Sequence, residues 1–122
     1  MAIILVVDDQ TPTLDLMAAT IRMLGHDPRL AQSAERALDL IAETPPDLVL
    51  LDLMMPGMNG LEMLTKLRAT SNGSTLPVVV ITAGGEYDIK DRVLEAGGTA
   101  CLQKPINMEQ LATMIQSVLT DE

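Results

Sequence analysis

The sequence predicts one doubly wound α/β domain over residues 1–122, and two features of the chain support that class. Short apolar segments bounded by turn residues recur along it, which is typical of buried strands. Between them, apolar residues return every three or four positions, as expected for helices that pack one face on a sheet. Apolar strands alternating with helices favour a parallel sheet covered on both faces, with right-handed crossovers.

Five segments are predicted as strands, three of them strongly apolar and two weaker. The strong candidates are residues 3–7, 48–51 and 78–81, and the weaker ones are residues 28–31 and 99–103. All five have the length of ordinary strands. A chain of 122 residues can bury the core of such a sheet without disulfides.

Start and stop signals predict the first two helices. Thr11 is interpreted as the N-cap of helix one, with Pro12 at the first helical position and Gly25 where the helix closes. Ser33 is predicted to cap helix two, which must end before Pro45.

The remaining three helices follow from the same signals. Helix three is predicted from about residue 60 to residue 69, followed by a polar loop over residues 70–75. Helix four is predicted over roughly residues 87–96, with Gly97 beyond it, and Asn107 is predicted to cap helix five. The methionines at helical core spacing are expected to fill a core that lacks Phe, in preference to a copper site; they are Met17, Met23, Met63 and Met114.

The charge balance excludes several classes of partner. Seventeen acidic and eight basic residues give a net charge of −9 with no basic cluster, so we expect no direct nucleic-acid binding. The opening apolar segment stops at Asp8, too soon for a signal peptide, and we expect no membrane insertion. Cys101 is the one cysteine and cannot form an internal disulfide, so a cytoplasmic location is predicted.

Polar residues stand at the carboxyl ends of four predicted strands. Asp8 and Asp9 end the first strand, Asp52 ends the third, Thr82 ends the fourth, and Lys104 follows the fifth. Ligands of open α/β sheets bind at this end of the strands, so we expect these side chains to share one rim. If strands one and three are neighbours, three carboxylates converge there.

Converging carboxylates need a cation. Two like charges about 4 Å apart repel by about 4 kcal/mol at an effective dielectric near 20. Carboxylates, a backbone carbonyl and water make the octahedral oxygen shell that Mg²⁺ prefers. His26 is expected at the opposite edge of the sheet, so a zinc site or a catalytic pair with Cys101 is disfavoured.

In order and placement, these residues resemble the receiver domain of two-component response regulators, and the resemblance spans nearly the whole chain. It rests on the acidic pair Asp8 and Asp9, the segment LDLMMPGMNG at residues 51–60, Thr82 with Ala83, and Lys104 with Pro105. The resemblance implies a flavodoxin-like (βα)5 fold with strand order 2-1-3-4-5, similar to chemotaxis regulators.

The same resemblance implies a role for each site residue. Asp52 would accept a phosphoryl group from a phosphohistidine on a histidine kinase or phosphotransfer protein. Thr82 and Lys104 would contact the phosphoryl oxygens, and Asp9 would bind Mg²⁺ directly while Asp8 binds it mainly through water. The implied metal ligands are Asp8, Asp9, Asp52 and the backbone carbonyl of Met54.

The usual output switch of the family uses an aromatic residue on strand five, where this chain has Cys101. The only aromatic residue is Tyr87, near the start of helix four. We therefore hypothesise that phosphorylation rearranges helix four and the loop that contains Gly84 and Gly85.

Three readings of function remain open. The first is a stand-alone receiver that acts as a phosphorylation-controlled interaction module or phosphate shuttle toward an unknown downstream protein, with slow autodephosphorylation and no turnover chemistry. The second is a magnesium-dependent phosphohydrolase, which would need a further acid or base near Asp52 and a substrate pocket. The third is a structural receiver that takes no phosphate, or a fragment of a larger hybrid kinase or regulator.

Overall fold

Five strands alternate with five helices in the computed structural model, which describes residues 1–53, 59–83 and 89–120. In chain order the elements are β1 (Ile3–Val7), α1 (Thr11–Met23), β2 (Asp27–Ala31), α2 (Ala34–Glu43), β3 (Leu48–Asp52), α3 (Gly60–Arg68), β4 (Val78–Thr82), α4 (Ile89–Glu95), β5 (Ala100–Gln103) and α5 (Met108–Thr120). No helix within these ranges is long and apolar enough to cross a membrane.

The strands form one parallel sheet in the order β2-β1-β3-β4-β5, which confirms the predicted fold class and strand order. The central strands β3 and β4 are buried along their whole length, whereas the edge strands β2 and β5 are partly exposed. Burial on both faces explains why β3 and β4 are so apolar in sequence. The partial exposure of β2 and β5 explains why these two strands are less apolar and are the weaker candidates in the sequence.

The core has two halves because alternate strand residues point to opposite faces of the sheet. Leu5 and Val7 belong to the half covered by α2, α3 and α4, and Ile4 and Val6 belong to the half covered by α1 and α5. The helical residues of the first half include Ala37, Ile41, Met63, Leu64, Leu67 and Val93, and those of the second include Leu14, Met17, Ile21, Leu111 and Ile115. Both faces are therefore closed to water, which leaves the ends of the strands for function.

Two predicted caps are confirmed. The Ser33 hydroxyl accepts the Arg36 N–H at 3.1 Å, and the Asn107 carbonyl oxygen accepts the Glu109 N–H at 2.8 Å. Gly25 follows α1 with φ +86°, the left-handed conformation that glycine adopts at helix ends.

The predicted cap of α1 is wrong. Thr11 lies inside α1, whose N-cap is Gln10 without a side-chain capping bond. The helix begins one residue early because the Asp8 carboxylate accepts the Gln10 N–H at 2.8 Å and Pro12 occupies the first turn. The Thr11 hydroxyl instead accepts a hydrogen bond from Gln32 Nε2 at 3.0 Å.

The methionine prediction is confirmed for three residues and wrong for one. Met17 and Met63 are buried, and the half-buried Met114 packs against the core half covered by α1 and α5. Met23 is 87% exposed. It lies six residues after Met17, about 240° around an α-helix, and so on a different face.

Candidate functional site

Three carboxylates meet at the carboxyl ends of β1 and β3, as the sequence predicts. Asp8 and Asp9 directly follow β1, and Asp52 is the last residue of β3. The two strands are parallel neighbours with Val7 beside Leu51, so their acidic ends come together. One carboxylate oxygen of each residue lies within 4.8 Å of the other two.

Burial strengthens the electrostatics of this cluster. Asp8 and Asp52 are 2% and 3% exposed, while Asp9 is partly exposed. Burial raises the pKa of the Asp8 carboxyl above its ordinary value, and the charges of Asp52 and Asp9 act in the same direction. The hydrogen bond from Gln10 and the charge of Lys104 oppose this shift without reversing it. The pocket therefore holds its negative charge at an energetic cost.

Lys104 brings a positive charge to the same pocket. Its ammonium nitrogen lies 3.3 Å from Asp52 Oδ2. Two strand spacings, about 10 Å, separate β3 from β5, so only a long side chain can cross above β4. The Lys104 N–H donates to the carbonyl of Thr82 at 2.7 Å, which fixes the start of this crossing.

Thr82 ends β4 at the same rim and is 5% exposed. In the sheet register Asp52 pairs with Ile81, so Thr82 lies one residue beyond Asp52 along the strand direction. β4 lies between β3 and β5, so Thr82 is between Asp52 and Lys104 along this rim of the sheet. A carboxylate at the end of β3, a hydroxyl at the end of β4 and an ammonium group just after β5 thus share one rim.

Other predicted residues lie elsewhere. Met54 falls outside the described residues, so the structure says nothing of its carbonyl. His26 precedes β2 at the opposite end of the sheet, where its Nδ1 accepts the Ala2 N–H at 3.0 Å. Cys101 lies within β5 and is partly buried, and burial raises the pKa of its thiol.

Gly60 has a role at the site that the sequence reading missed. A Cβ on Gly60 would lie 2.8 Å from Leu53 Cα and 3.1 Å from the Asp52 carbonyl oxygen. Only glycine therefore lets the start of α3 pack this closely behind Asp52. The signal was visible as an Asn-Gly step shortly after the strand, with Asn59 capping α3 through its bond from the Glu62 N–H at 3.0 Å.

The donor set fits a hard cation. Three carboxylates within one pocket offer only oxygen ligands, which suit small divalent metal ions, and no described histidine or cysteine joins the cluster. Asp8, Asp9 and Asp52 are therefore able to hold a metal ion.

Comparison with protein families gives a match over most of the chain. The family model for the response regulator receiver domain matches residues 4–116. The phosphate regulon transcriptional regulatory protein PhoB of Pseudomonas aeruginosa is 34% identical over 116 residues, covering 95% of this chain and 51% of the relative. The response regulator MprA of Mycolicibacterium vanbaalenii is 39% identical over 116 residues, covering 95% and 49%. The chain thus spans about half the length of these relatives.

Solved structures resemble the whole fold. The chemotaxis protein CheY4 of Vibrio cholerae superposes with a TM-score of 0.92 at 28% identity, and the match covers 98% of this chain and 99% of that one. A response regulator from Chloroflexus aurantiacus, described as putative, gives a TM-score of 0.92 at 29% identity, with 98% of each chain covered.

Proposed function

Because this chain belongs to the response regulator receiver domain family of two-component signalling, we propose that Asp52 is the residue that accepts a phosphoryl group. Receiver domains of response regulators interact with histidine kinases and effector domains and are not turnover enzymes. The observation that carries the proposal is the buried Asp52 carboxylate, which lies 3.3 Å from the Lys104 ammonium and within a cluster of three acids.

Charge counting supports the assignment of the neighbours. Asp8, Asp9 and a phosphoryl dianion on Asp52 sum to about −4, whereas Mg²⁺ and Lys104 return +3. A covalent phosphate at this position is tolerable only if the cations stay close to it. The Lys104 ammonium lies 3.3 Å from Asp52, close enough to offset part of the negative charge of a phosphoryl group there.

The transfer needs positioning more than acid or base catalysis. An ionised Asp52 oxygen attacks the phosphorus of a phosphohistidine, the new O–P bond forms as the P–N bond breaks, and the imidazole leaves with the bonding electron pair. Because a carboxylate needs no deprotonation, no general base is required. Thr82 and Lys104 then donate hydrogen bonds to the phosphoryl oxygens.

Mg²⁺ is the proposed cation because the pocket offers hard oxygen ligands from Asp8, Asp9 and Asp52. The backbone carbonyl of Met54 is the proposed fourth protein ligand and lies outside the described residues. When bound, the ion neutralises the charge of the phosphoryl group. The three acids would hold the ion, and without it their mutual repulsion opposes modification of Asp52.

The proposed partners follow from this role. A histidine kinase or a histidine phosphotransfer protein supplies the phosphoryl group, and an unidentified protein reads the phosphorylated state. PhoB is named as a transcriptional regulatory protein, but a net charge of −9 makes this chain itself a poor ligand for nucleic acid. We propose that its output passes through protein contacts and that slow autodephosphorylation ends the signal.

Phosphorylation is proposed to act through α4. The loop with Gly84 and Gly85, which we expect to rearrange, lies outside the described residues, whereas α4 begins just after it at Ile89. Amide chemical shifts measured with a phosphoryl mimic test this route. Shift changes confined to the acidic pocket formed by Asp8, Asp9 and Asp52, with residues 89–96 unchanged, would contradict a route through α4.

Intact mass measurement tests the acceptor. The protein is incubated with acetyl phosphate and Mg²⁺, and we expect the mass of one phosphoryl group to be added to the parent chain. The Asp52→Asn variant should gain nothing, and the exposed Asp39→Asn variant on α2 should gain as much as the parent. Equal modification of the Asp52→Asn variant would assign the phosphate to another residue.

A further inference from the structure

Arg68, the last residue of α3, makes a network that has no part in the acidic pocket. Its guanidinium donates from Nε and Nη2 to the carbonyl of Gly97, at 3.0 and 2.7 Å. The remaining terminal nitrogen, Nη1, donates to the carbonyls of Gly73 and Leu76, at 2.7 and 2.6 Å. One side chain therefore joins the end of α3, the loop before β4 and the turn between α4 and β5.

The turn at Gly97 is shaped to receive this side chain. Gly97 has φ +102°, and a Cβ there would lie 3.0 Å from both Cγ and Nε of Arg68. The Gly97 N–H donates to the Leu94 carbonyl at 3.1 Å, and the Gly98 N–H donates to the Val93 carbonyl at 2.8 Å. Glycine is thus required for the backbone conformation and for the close approach. The last turn of α4 is therefore bonded to the same Gly97–Gly98 turn whose carbonyl accepts hydrogen bonds from Arg68.

The chemistry of arginine suits this position. A planar guanidinium has five N–H donors in a rigid fork and can serve three carbonyls from fixed directions, whereas a lysine ammonium is a compact charge on a flexible stem. A cation beside the final carbonyls of a helix also complements the negative end of the helix dipole. Burial lowers the pKa of Arg68 from its ordinary value, yet an arginine side chain stays protonated.

The network lies at the end of the sheet opposite to the acidic pocket. Leu76 and Gly97 shortly precede β4 and β5, so their carbonyls mark where these strands enter the sheet. In chain order α4 follows β4, which ends at Thr82, and precedes the turn at Gly97 that Arg68 holds. Because β4 and β5 are parallel neighbours, the helix that connects them starts on the side of the sheet where β4 ends and finishes on the side where β5 begins. The N-terminal end of α4 is therefore on the side of Thr82, and its C-terminal end is on the side of Arg68.

We propose that Arg68 is a positioning residue that fixes the C-terminal end of α4, so that the rearrangement caused by phosphorylation is confined to the N-terminal end. This inference rests on the proposed function of Asp52, because it concerns how the signal spreads from that residue. It assigns a part in signalling to a residue remote from the acidic pocket.

NMR on the full chain tests the proposal with Arg68→Met, Arg68→Lys and, as a matched control, Arg36→Met on the exposed face of α2. In the parent, beryllofluoride with Mg²⁺ should shift the amides of residues 89–92 and leave those of Gly97 and Gly98 in place. In Arg68→Met these two amides should exchange hydrogen at least about tenfold faster, the scale of one lost charge-assisted hydrogen bond, and should now shift with beryllofluoride. In Arg68→Lys the exchange rates of these two amides should lie between those of the parent and those of Arg68→Met. In Arg36→Met they should equal those of the parent.

Three results would overturn the inference. Equal shifts at Gly97 and at residues 89–92 in the parent would show that the C-terminal end of α4 is not held. Exchange within about twofold of the parent in Arg68→Met would show that the guanidinium does not hold it. If Arg68→Met does not fold, the test passes to Arg68→Lys: hydrogen exchange rates and beryllofluoride shifts equal to those of the parent would likewise show that the guanidinium does not hold the end of α4. Absence of any shift at Leu53, next to Asp52, would instead refute the proposed function, and the confinement with it, whatever the exchange rates.

Discussion

Lys104 Nζ lies 3.3 Å from Asp52 Oδ2 although β4 lies between β3, which ends at Asp52, and β5, which Lys104 directly follows. The distance reflects two constraints on Lys104. Its N–H is bonded to the Thr82 carbonyl, and its long side chain turns back over the end of β4. The Lys104 ammonium is therefore already close to Asp52, the proposed acceptor, which lowers the reorganisation that the proposed phosphoryl transfer needs.

Replacing Lys104 should slow the modification of Asp52. One charge-assisted hydrogen bond contributes about 1.5 to 3 kcal/mol, so Lys104→Met should lower the rate of phosphorylation by acetyl phosphate about 10- to 100-fold. The rate is measured by intact mass over time. Lys66→Met, on the exposed side of α3, is the control and should keep the parental rate. An unchanged rate in Lys104→Met would remove this residue from the proposed site.

Neutralising Asp8 should stabilise the metal-free protein. At pH 7 in a chelator, Asp8→Asn should raise the free energy of unfolding by roughly 1 to 3 kcal/mol, because it removes one buried charge from a cluster of like charges. An asparagine oxygen can still accept the Gln10 N–H. Urea unfolding measures the difference, with the exposed Asp15→Asn as control. A less stable Asp8→Asn protein would contradict the electrostatic account.

This gain should depend on pH in a defined direction. The pKa of Asp8 is raised in the folded chain, so between its unfolded and folded values the folded state binds more protons than the unfolded state. The contribution of Asp8 to stability is therefore greatest below the unfolded pKa and is lost as pH rises through the folded pKa. Unfolding measured across pH should show that the advantage of Asp8→Asn grows between the unfolded and folded pKa values of Asp8 and is constant above them. A constant advantage at every pH would point to a cause other than ionisation.

Mg²⁺ should stabilise the fold through the same carboxylates. At a concentration one hundred times its dissociation constant, a ligand that binds only the folded state adds about 2.7 kcal/mol. Thermal unfolding with Mg²⁺ and with a chelator should therefore differ by several degrees in the parent. The difference should disappear in Asp9→Asn. If Asp9→Asn responds to Mg²⁺ as the parent does, the cation binds elsewhere.

Gly60→Ala should damage the site as well as the fold. Its Cβ would lie 2.8 Å from Leu53 Cα, so the backbone just after Asp52 must move, at a cost of about 1 to 3 kcal/mol. Gly25→Ala is a suitable control because it is strained by φ +86° but meets no atom within 4 Å and lies far from Asp52. Both variants should lose stability in urea. Only Gly60→Ala should also lose phosphorylation.

Local signals made much of the fold predictable. The buried strands β3 and β4 are recognisable in the sequence because they consist almost entirely of apolar residues. Ser33 and Asn107 are recognisable as caps because each bonds an N–H only two or three residues further along the chain. The start of α1 is not predictable in this way, because it is set by a residue outside the helix. The carboxylate of Asp8, which also belongs to the site, accepts the N–H of the N-cap residue Gln10. A rule based on residue type assigned the cap to Thr11.

The site was predictable to the extent that topology determines it. Residues at the carboxyl ends of neighbouring parallel strands must meet, so Asp8, Asp9 and Asp52 could be grouped from the sequence. The Arg68 network could not, because its Gly97 partner is 29 residues away and the contact depends on how α3 and α4 pack. The raised pKa of Asp8 likewise depends on burial, which spacing does not reveal.

Phosphorus-31 NMR tests the central claim most directly, because it identifies the chemical form of the modification. With acetyl phosphate and Mg²⁺, the folded parent chain should show a protein-bound acyl phosphate resonance that is lost on denaturation at alkaline pH and is absent from Asp52→Asn. If Asp52→Asn kept that resonance, or if the parent chain never produced it, Asp52 would not be the phosphoryl acceptor.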